Sequence, residues 1–349
     1  MIFLRRYILI CTLLLALPSG CSLATDPALA KAASQFAASV RVLTKVIDQH
    51  YDDTEAAHKL ALRDNFNLQF DLGGRPEVRI APLFKLSERA ARRSVLNAVK
   101  VYASQLSDAL VGDTSEALVR TGEQSINDLR YLNADTINLS HSMNRFQTRE
   151  LISSLSGFSK ILLLPKRDRE LAKITAETQI YIKELATLFY IDIGTSGDET
   201  DKCRFSVADI KADSKLSSFT LCKGGLRGLM QIAFQSDRTT WQQRLNLSAV
   251  SGSPYADKRS QLIDHILDIE QSAKEEDALM KETQVALVLL IEAHASLARS
   301  LSSGKRPDLA REGQSDMAED VYQFAAQVAG LPARRASAAR FLLKNLAEQ

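Results

Sequence analysis

A run of mostly apolar residues at alternating steps of three and four is the sequence feature that most constrains the fold. It extends over about five heptads and includes Leu262, Ile266, Ile269, Ala273, Glu276, Met280, Thr283, Leu287, Leu290, His294, Leu297 and Leu301. Residues at this spacing share one face of an α-helix, which then packs against a partner helix. At 1.5 Å per residue the run predicts a helix of about 60–70 Å, longer than a compact domain is wide.

Further helical signals occur along the rest of the chain. Asp26-Pro27 is a good helix start, because Asp26 can accept hydrogen bonds from exposed amides and Pro27 suits the first helical position. Two more stripes follow the same spacing, at 29–47 and 118–146. Helices are also predicted at 83–111, 150–164, 167–193, 226–247, 309–329 and 333–347. The predicted fold class is therefore mainly α, an elongated bundle of long antiparallel helices.

Two segments instead alternate between apolar and polar residues, as β-strands do. In the first, residues 65–72 alternate, Gly73-Gly74 can form a turn, and Val78 and Ile80 alternate on the far side. The second alternating segment is 203–222, which begins and ends with a cysteine. We expect one or two small β-hairpins, at 65–81 and 203–222, which could pair at one end of the helices.

The N-terminus has the features of a secretory signal. Arg5 and Arg6 precede a mostly apolar run at 7–17, which is too short to span a membrane by itself. The segment at 17–21, Leu-Pro-Ser-Gly-Cys, resembles a bacterial lipobox, with Pro18 departing from the pattern. The resemblance implies that Cys21 carries a lipid and becomes the first mature residue, and Ser22 then favours the outer membrane. Ordinary cleavage after Ala24 is the alternative.

These signals divide the chain into a removed lipoprotein-type signal peptide at 1–20, a short tether at 21–27 and an elongated helical domain at 28–349. Export also bears on the cysteines. Cys11 leaves with the signal, and Cys21 is lipidated or removed, so that Cys203 and Cys222 remain. In an oxidising compartment such a pair normally forms a disulfide, although reduced core cysteines or a thiol metal site are alternatives.

Charge argues against nucleic acid as a partner. The chain carries 44 Lys and Arg against 42 Asp and Glu, and Arg5 and Arg6 account for the excess. A neutral mature chain has no overall field that attracts phosphate backbones. The expected partners are a membrane, through the lipid anchor at Cys21, and a protein partner or a second copy, through the helices.

Few residues suggest catalysis. Glu55 and His58 are three apart and resemble the Glu-x-x-His element of di-iron carboxylate bundles. Those bundles need a second such element, and no other histidine of this chain has a glutamate three residues before it. His50 and His294 continue apolar stripes, which predicts buried residues with one hydrogen bond each. The sequence contains no nucleophile elbow, phosphate loop or dinucleotide motif. We therefore expect no bound metal, no cofactor and no enzymatic activity.

The sequence favours a non-enzymatic envelope lipoprotein that acts as a helical scaffold or interaction protein in the periplasm. A helical pore-forming or membrane-perturbing protein is the first alternative, because long helices combined with a β-tongue occur in that class. A metal-dependent helical enzyme centred on Glu55 and His58 is the second.

Overall fold

The structure is a computed structural model that describes residues 26–84, 86–111, 167–194, 225–250, 252–303 and 307–347. Within these residues it is a bundle of α-helices. They are α1 (Pro27–Asp71), α2 (Leu86–Val111), α3 (Arg167–Ile193), α4 (Gly225–Leu247), α5 (Arg259–Ser303), α6 (Pro307–Ala338) and α7 (Arg340–Ala347). A short 3₁₀ turn, Ala256–Lys258, leads into α5.

The two longest helices, α1 and α5, form the centre of the bundle. Each has 45 residues, which corresponds to about 67 Å at 1.5 Å per residue. Phe36 lies beside His294, and His50 contacts Thr283. Because the numbering rises along one helix as it falls along the other, α1 and α5 are antiparallel. Helices α4, α6 and α7 contact both of them, α2 packs on α1, and α3 packs on α5.

The predicted stripes form the core of this bundle. Ala33, Phe36, Val40, Leu43 and Ile47 are buried along α1. On α5 the buried stripe includes Leu262, Ile269, Glu276, Met280, Thr283, Leu287, His294 and Leu297. The prediction of a mainly helical bundle is therefore confirmed for the described residues.

The start of α1 follows the sequence prediction. The Asp26 carboxylate accepts a hydrogen bond from the backbone N–H of Ala28 at 2.9 Å, and Pro27 takes the first helical position. This cap satisfies one of the amides that a helix start leaves without an intrahelical acceptor.

The predicted hairpin at 65–81 is wrong. Residues 65–71 are the last turns of α1, and the described residues contain no strand. The alternating segment also has helical spacing, because Ala61, Asp64 and Leu68 continue the buried face of α1. Extending an existing helix needs no new nucleus, whereas a two-stranded hairpin is marginal in water.

Gly73-Gly74 ends this helix instead of turning a hairpin. Gly73 has a φ of +81°, and its N–H donates to the carbonyl of Phe70 at 2.9 Å, while Gly74 donates to Gln69 at 2.8 Å. Positive φ after a helix is the usual role of glycine at a C-terminus. Residues 74–82 then continue without regular structure, and Val78 and Ile80 are exposed.

Other predictions concern residues that the structure does not describe. The stripe at 118–146, the helix at 150–164, the hairpin at 203–222, the Cys203–Cys222 disulfide and the lipidation of Cys21 all lie outside the described residues.

By length and composition, the segment Ala256–Ser303 is the one stretch of the described chain that could cross a membrane. The core helix of a soluble bundle passes the same test. Half of its most apolar window is buried inside the bundle, as expected for a central helix.

Candidate functional site

Three potential metal-binding side chains meet where α1, α4 and α5 come together. Asp64, Asp237 and His265 each offer one ligand atom, and these atoms all lie within 4.8 Å of one another. Among the described residues this is the only group of three or more His, Cys, Asp or Glu with that geometry. We call it the Asp–Asp–His cluster.

Asp237 is the most unusual member of the cluster. Its side chain is 2% exposed, and within the described residues neither carboxyl oxygen forms a well-aligned hydrogen bond, although Asp64 and Trp241 are close enough to interact with it. Burial raises the pKa of Asp237 well above its ordinary value, and the neighbouring Asp64 carboxyl raises it further, while Arg244 opposes the rise. A buried carboxyl without a well-aligned hydrogen bond is costly, so this group either keeps a proton or requires a positive ligand.

Asp64 is held in place from several sides. Its carboxylate accepts hydrogen bonds from Arg63 Nε at 3.2 Å and from the indole N–H of Trp241 at 3.1 Å. Its main-chain oxygen accepts a hydrogen bond from Arg244 at 2.8 Å. These contacts fix the position of the carboxylate and leave each of its oxygens with further acceptor capacity.

His265 contributes a ring nitrogen to the cluster from α5. Its ring lies 3.7 Å from the Trp241 ring and 5.2 Å from the Phe341 ring, centroid to centroid. Its Nε2 is buried without a hydrogen-bond partner. Burial lowers the pKa of His265, partly opposed by Asp64 and Asp268. The neutral imidazole favoured by this environment has a lone pair available for a ligand.

A cavity of about 550 Å³ opens beside the cluster. His265 and Trp241 form part of its wall, and cationic, acidic, amide, aromatic and aliphatic side chains complete it. The lining residues are Asn67, Phe70, Asp71, Trp241, Arg244, Tyr255, Lys258, Gln261, Leu262 and His265. The cluster therefore adjoins a space that admits water and small molecules, although two of its three members are buried.

The pair identified from sequence, Glu55 and His58, is not part of this cluster. Glu55 accepts a hydrogen bond from the backbone N–H of Leu83 at 2.8 Å and lies 3.2 Å from Lys59 Nζ. The Glu55 carboxylate therefore holds the segment that follows α1 against the helix. Within the described chain, Glu55 and His58 belong to no group of three metal-ligating residues.

The predicted roles of His50 and His294 are confirmed. Both side chains are fully buried. His50 Nε2 lies 2.9 Å from Thr283 Oγ1, and the Thr283 hydroxyl donates to the carbonyl of Leu279. The threonine oxygen is therefore the acceptor, and His50 Nε2 carries the hydrogen.

His294 makes two contacts where one was expected. Its Nε2 lies 2.6 Å from the Tyr102 hydroxyl, and its Nδ1 contacts Gln179 Oε1. Because the amide oxygen can only accept, Nδ1 carries the hydrogen and Nε2 accepts from Tyr102. Burial lowers the pKa of His294 to about 3, so this histidine is a neutral structural residue.

Sequence reasoning missed the Asp–Asp–His cluster because its members are far apart in the chain. One signal was present. Asp64 continues the buried face of α1 and Asp237 that of α4, after Met230 and Phe234. A carboxylate at a core position is unusual unless it is paired or binds a ligand.

Comparisons with known proteins gave no match. No protein family, curated protein or solved structure resembles the chain at a significant level.

Proposed function

We propose that this chain is a non-enzymatic lipoprotein of the bacterial cell envelope. Its lipid at Cys21 anchors it in the outer membrane, facing the periplasm, and its helical bundle acts as a scaffold that contacts another envelope protein or a second copy. The observation that carries the proposal is the short stretch between Cys21 and Pro27, where the 45-residue helix α1 begins.

The distance between the lipid anchor and the first helix follows from the number of residues between them. Six residues reach at most about 20 Å even when fully extended, so a lipid at Cys21 holds the start of α1 close to the bilayer. Asp64 lies about 55 Å further along the same helix at 1.5 Å per residue. Such a protein can carry a surface at the far end of the bundle well into the periplasm.

The interior of the bundle supports a structural role. Along α1 and α5 one face is buried over most of the helix, and the buried polar side chains of His50 and His294 on these faces form hydrogen bonds with neighbouring helices. Buried polar pairs of this kind set which helices pack together and in which register. They provide rigidity, which a scaffold needs over its whole length.

Replacing the candidate lipidated cysteine tests the anchor. In bacteria that express the chain, Cys21→Ser should abolish labelling with radioactive palmitate and release the protein from the membrane fraction. Cys11→Ser, in the apolar part of the signal, is the matched control and should leave both unchanged. Membrane attachment that survives Cys21→Ser, with a mature N-terminus at Thr25, contradicts the proposal.

The scaffold role is tested by cross-linking in living cells, followed by purification and identification of the attached protein. A reproducible partner, or a cross-linked dimer, supports it. Leakage of dye from lipid vesicles on addition of the purified protein supports the pore-forming alternative instead. Stoichiometric metal that is lost on His58→Ala supports the enzyme centred on Glu55 and His58.

A further inference from the structure

We propose that Asp64, Asp237 and His265 bind one divalent transition-metal cation of the zinc class. The site is built from three separate helices and lies next to the cavity described above. It is independent of the lipid anchor and adds a ligand to the scaffold proposed above.

The ligand chemistry fits such a cation. Two carboxylates and one neutral imidazole supply two oxygens and one nitrogen, a combination that suits zinc and related ions better than magnesium or calcium. Three protein ligands leave a fourth tetrahedral position open. Because His265 lines the cavity, water or a small ligand can occupy that position.

Asp237 provides independent evidence for a ligand. Its side chain is almost fully buried, and its two oxygens form no well-aligned hydrogen bond within the described residues, although Asp64 and Trp241 interact with them. One of these oxygens lies within 4.8 Å of the ligand atoms of Asp64 and His265. A native interior rarely leaves a carboxyl in this state. His265 contributes a ring nitrogen within the same 4.8 Å from α5, and its Nε2 forms no hydrogen bond within the described part of the chain.

The distances require only a small adjustment. Ligands at about 2.1 Å in a tetrahedral arrangement lie roughly 3.4 Å from one another. The three ligand atoms lie within 4.8 Å of one another. Side-chain movements that shift each atom by about 1 Å would therefore bring all three within bonding distance of one metal ion. Trp241 already fixes Asp64 through its indole N–H and stacks on the His265 ring. It therefore orients two of the three ligands, as outer-shell residues do in metal sites.

Two guanidinium groups lie nearby and oppose a cation. Arg63 donates to the Asp64 carboxylate, while Arg244 donates to the Asp64 main-chain oxygen and lies over the Trp241 ring, 4.2 Å from its centroid. Neither arginine makes a hydrogen bond to Asp237. Their positive charge lowers the affinity of the cluster for a dication.

Zinc titration of the mature chain, purified in detergent and freed of metal with a chelator, tests the proposal. Isothermal titration calorimetry should give about one equivalent of Zn²⁺ per chain, and elemental analysis after dialysis should agree. Asp237→Asn and His265→Gln should each weaken binding more than ~10-fold, and millimolar Mg²⁺ should not displace the zinc. Zinc should also raise the melting temperature of the wild-type chain, but not that of the variants.

His58→Gln is the matched control, because it removes a histidine from the same bundle outside the cluster and should leave zinc binding unchanged. Circular dichroism establishes that each variant is folded. If His265→Gln does not fold, the near-isosteric Asp237→Asn carries the test alone. The proposal is overturned if the wild-type chain binds no stoichiometric zinc, if Asp237→Asn binds it as tightly as the wild type, or if His58→Gln abolishes binding.

Discussion

At the scale of single residues, Glu276 is completely buried in α5, and its two carboxyl oxygens have no hydrogen-bond partner among the described residues. Burial, together with the neighbouring Asp53, raises the pKa of Glu276 to about 8, even though Arg335 opposes the rise. Arg335 is engaged elsewhere, since its guanidinium donates two hydrogen bonds to Asp53 at 2.9 and 2.8 Å. Glu276 is therefore predominantly protonated in the folded protein at neutral pH.

This protonation predicts a specific pH dependence of stability. Between pH 4.5 and about 8 the unfolded chain releases the Glu276 proton while the folded chain retains it. Raising the pH through this window therefore favours unfolding. Glu276→Gln, which is neutral at every pH, should be more stable than the wild type at pH 8, on the order of a few kcal/mol, and should lose that advantage near pH 4.

Urea denaturation at several pH values measures this effect. Glu275→Gln is the control, because Glu275 is the neighbouring residue but is only partly buried, and it should change the pH profile little. Equal stability of Glu276→Gln and the wild type at pH 8 would show that Glu276 is ionised at no cost in the folded chain.

The hydrogen bond between Tyr102 and His294 gives a second prediction for single residues. Tyr102→Phe keeps the ring but leaves the buried Nε2 of His294 without its 2.6 Å partner. Leaving a buried acceptor unsatisfied costs about 1–3 kcal/mol, and the free energy of unfolding should fall by that amount. Tyr322→Phe, at an exposed position on α6, should change it by less than ~0.5 kcal/mol. Equal effects of the two substitutions would contradict the network.

At the scale of helices, α5 has both buried and solvent-exposed positions within one apolar segment, and substitutions at the two kinds of position should affect stability differently. The segment 285–291 is apolar on all sides, which is typical of a helix at the centre of a bundle. Leu287 is buried there, but Val285, two residues earlier, is 49% exposed. The segment therefore has one solvent-facing position that its composition does not reveal.

Leu287→Ala should lower the free energy of unfolding by about 2–5 kcal/mol, because it leaves a cavity between helices. Val285→Ala should change it by less than ~0.5 kcal/mol. Chemical denaturation followed by circular dichroism measures both. Similar losses would mean that Val285 is covered by a partner or by a segment outside the described residues.

At the scale of the whole molecule, helices of 45 residues predict an elongated particle. A compact chain of this length has a radius of gyration of about 20 Å, whereas α1 alone is about 67 Å long. Small-angle X-ray scattering of a Cys21→Ser chain should give a radius of gyration above 20 Å and a maximum dimension of at least ~70 Å. A radius at the compact value would contradict the elongated shape.

Predictions from the sequence succeeded where a local pattern extends over many residues. Three correct predictions depend only on the spacing of residues along one helix, which can be counted in the sequence. They are the buried stripes of α1 and α5, the Asp26 cap and the core positions of His50 and His294. The prediction of a hairpin at 65–81 failed because the alternating pattern covers only eight residues and directly follows a long helix. Extending that helix is more favourable in free energy than forming a new two-stranded hairpin.

The sequence by itself determined that this chain forms long amphipathic helices. It also determined which face of α1 and of α5 is buried, because the spacing of apolar residues along one helix defines its buried face. Only the tertiary structure decided that Asp64, Asp237 and His265 meet. Their proximity depends on how α1, α4 and α5 align with one another. That alignment is set by side-chain packing and buried hydrogen bonds between helices, which spacing within one helix does not specify.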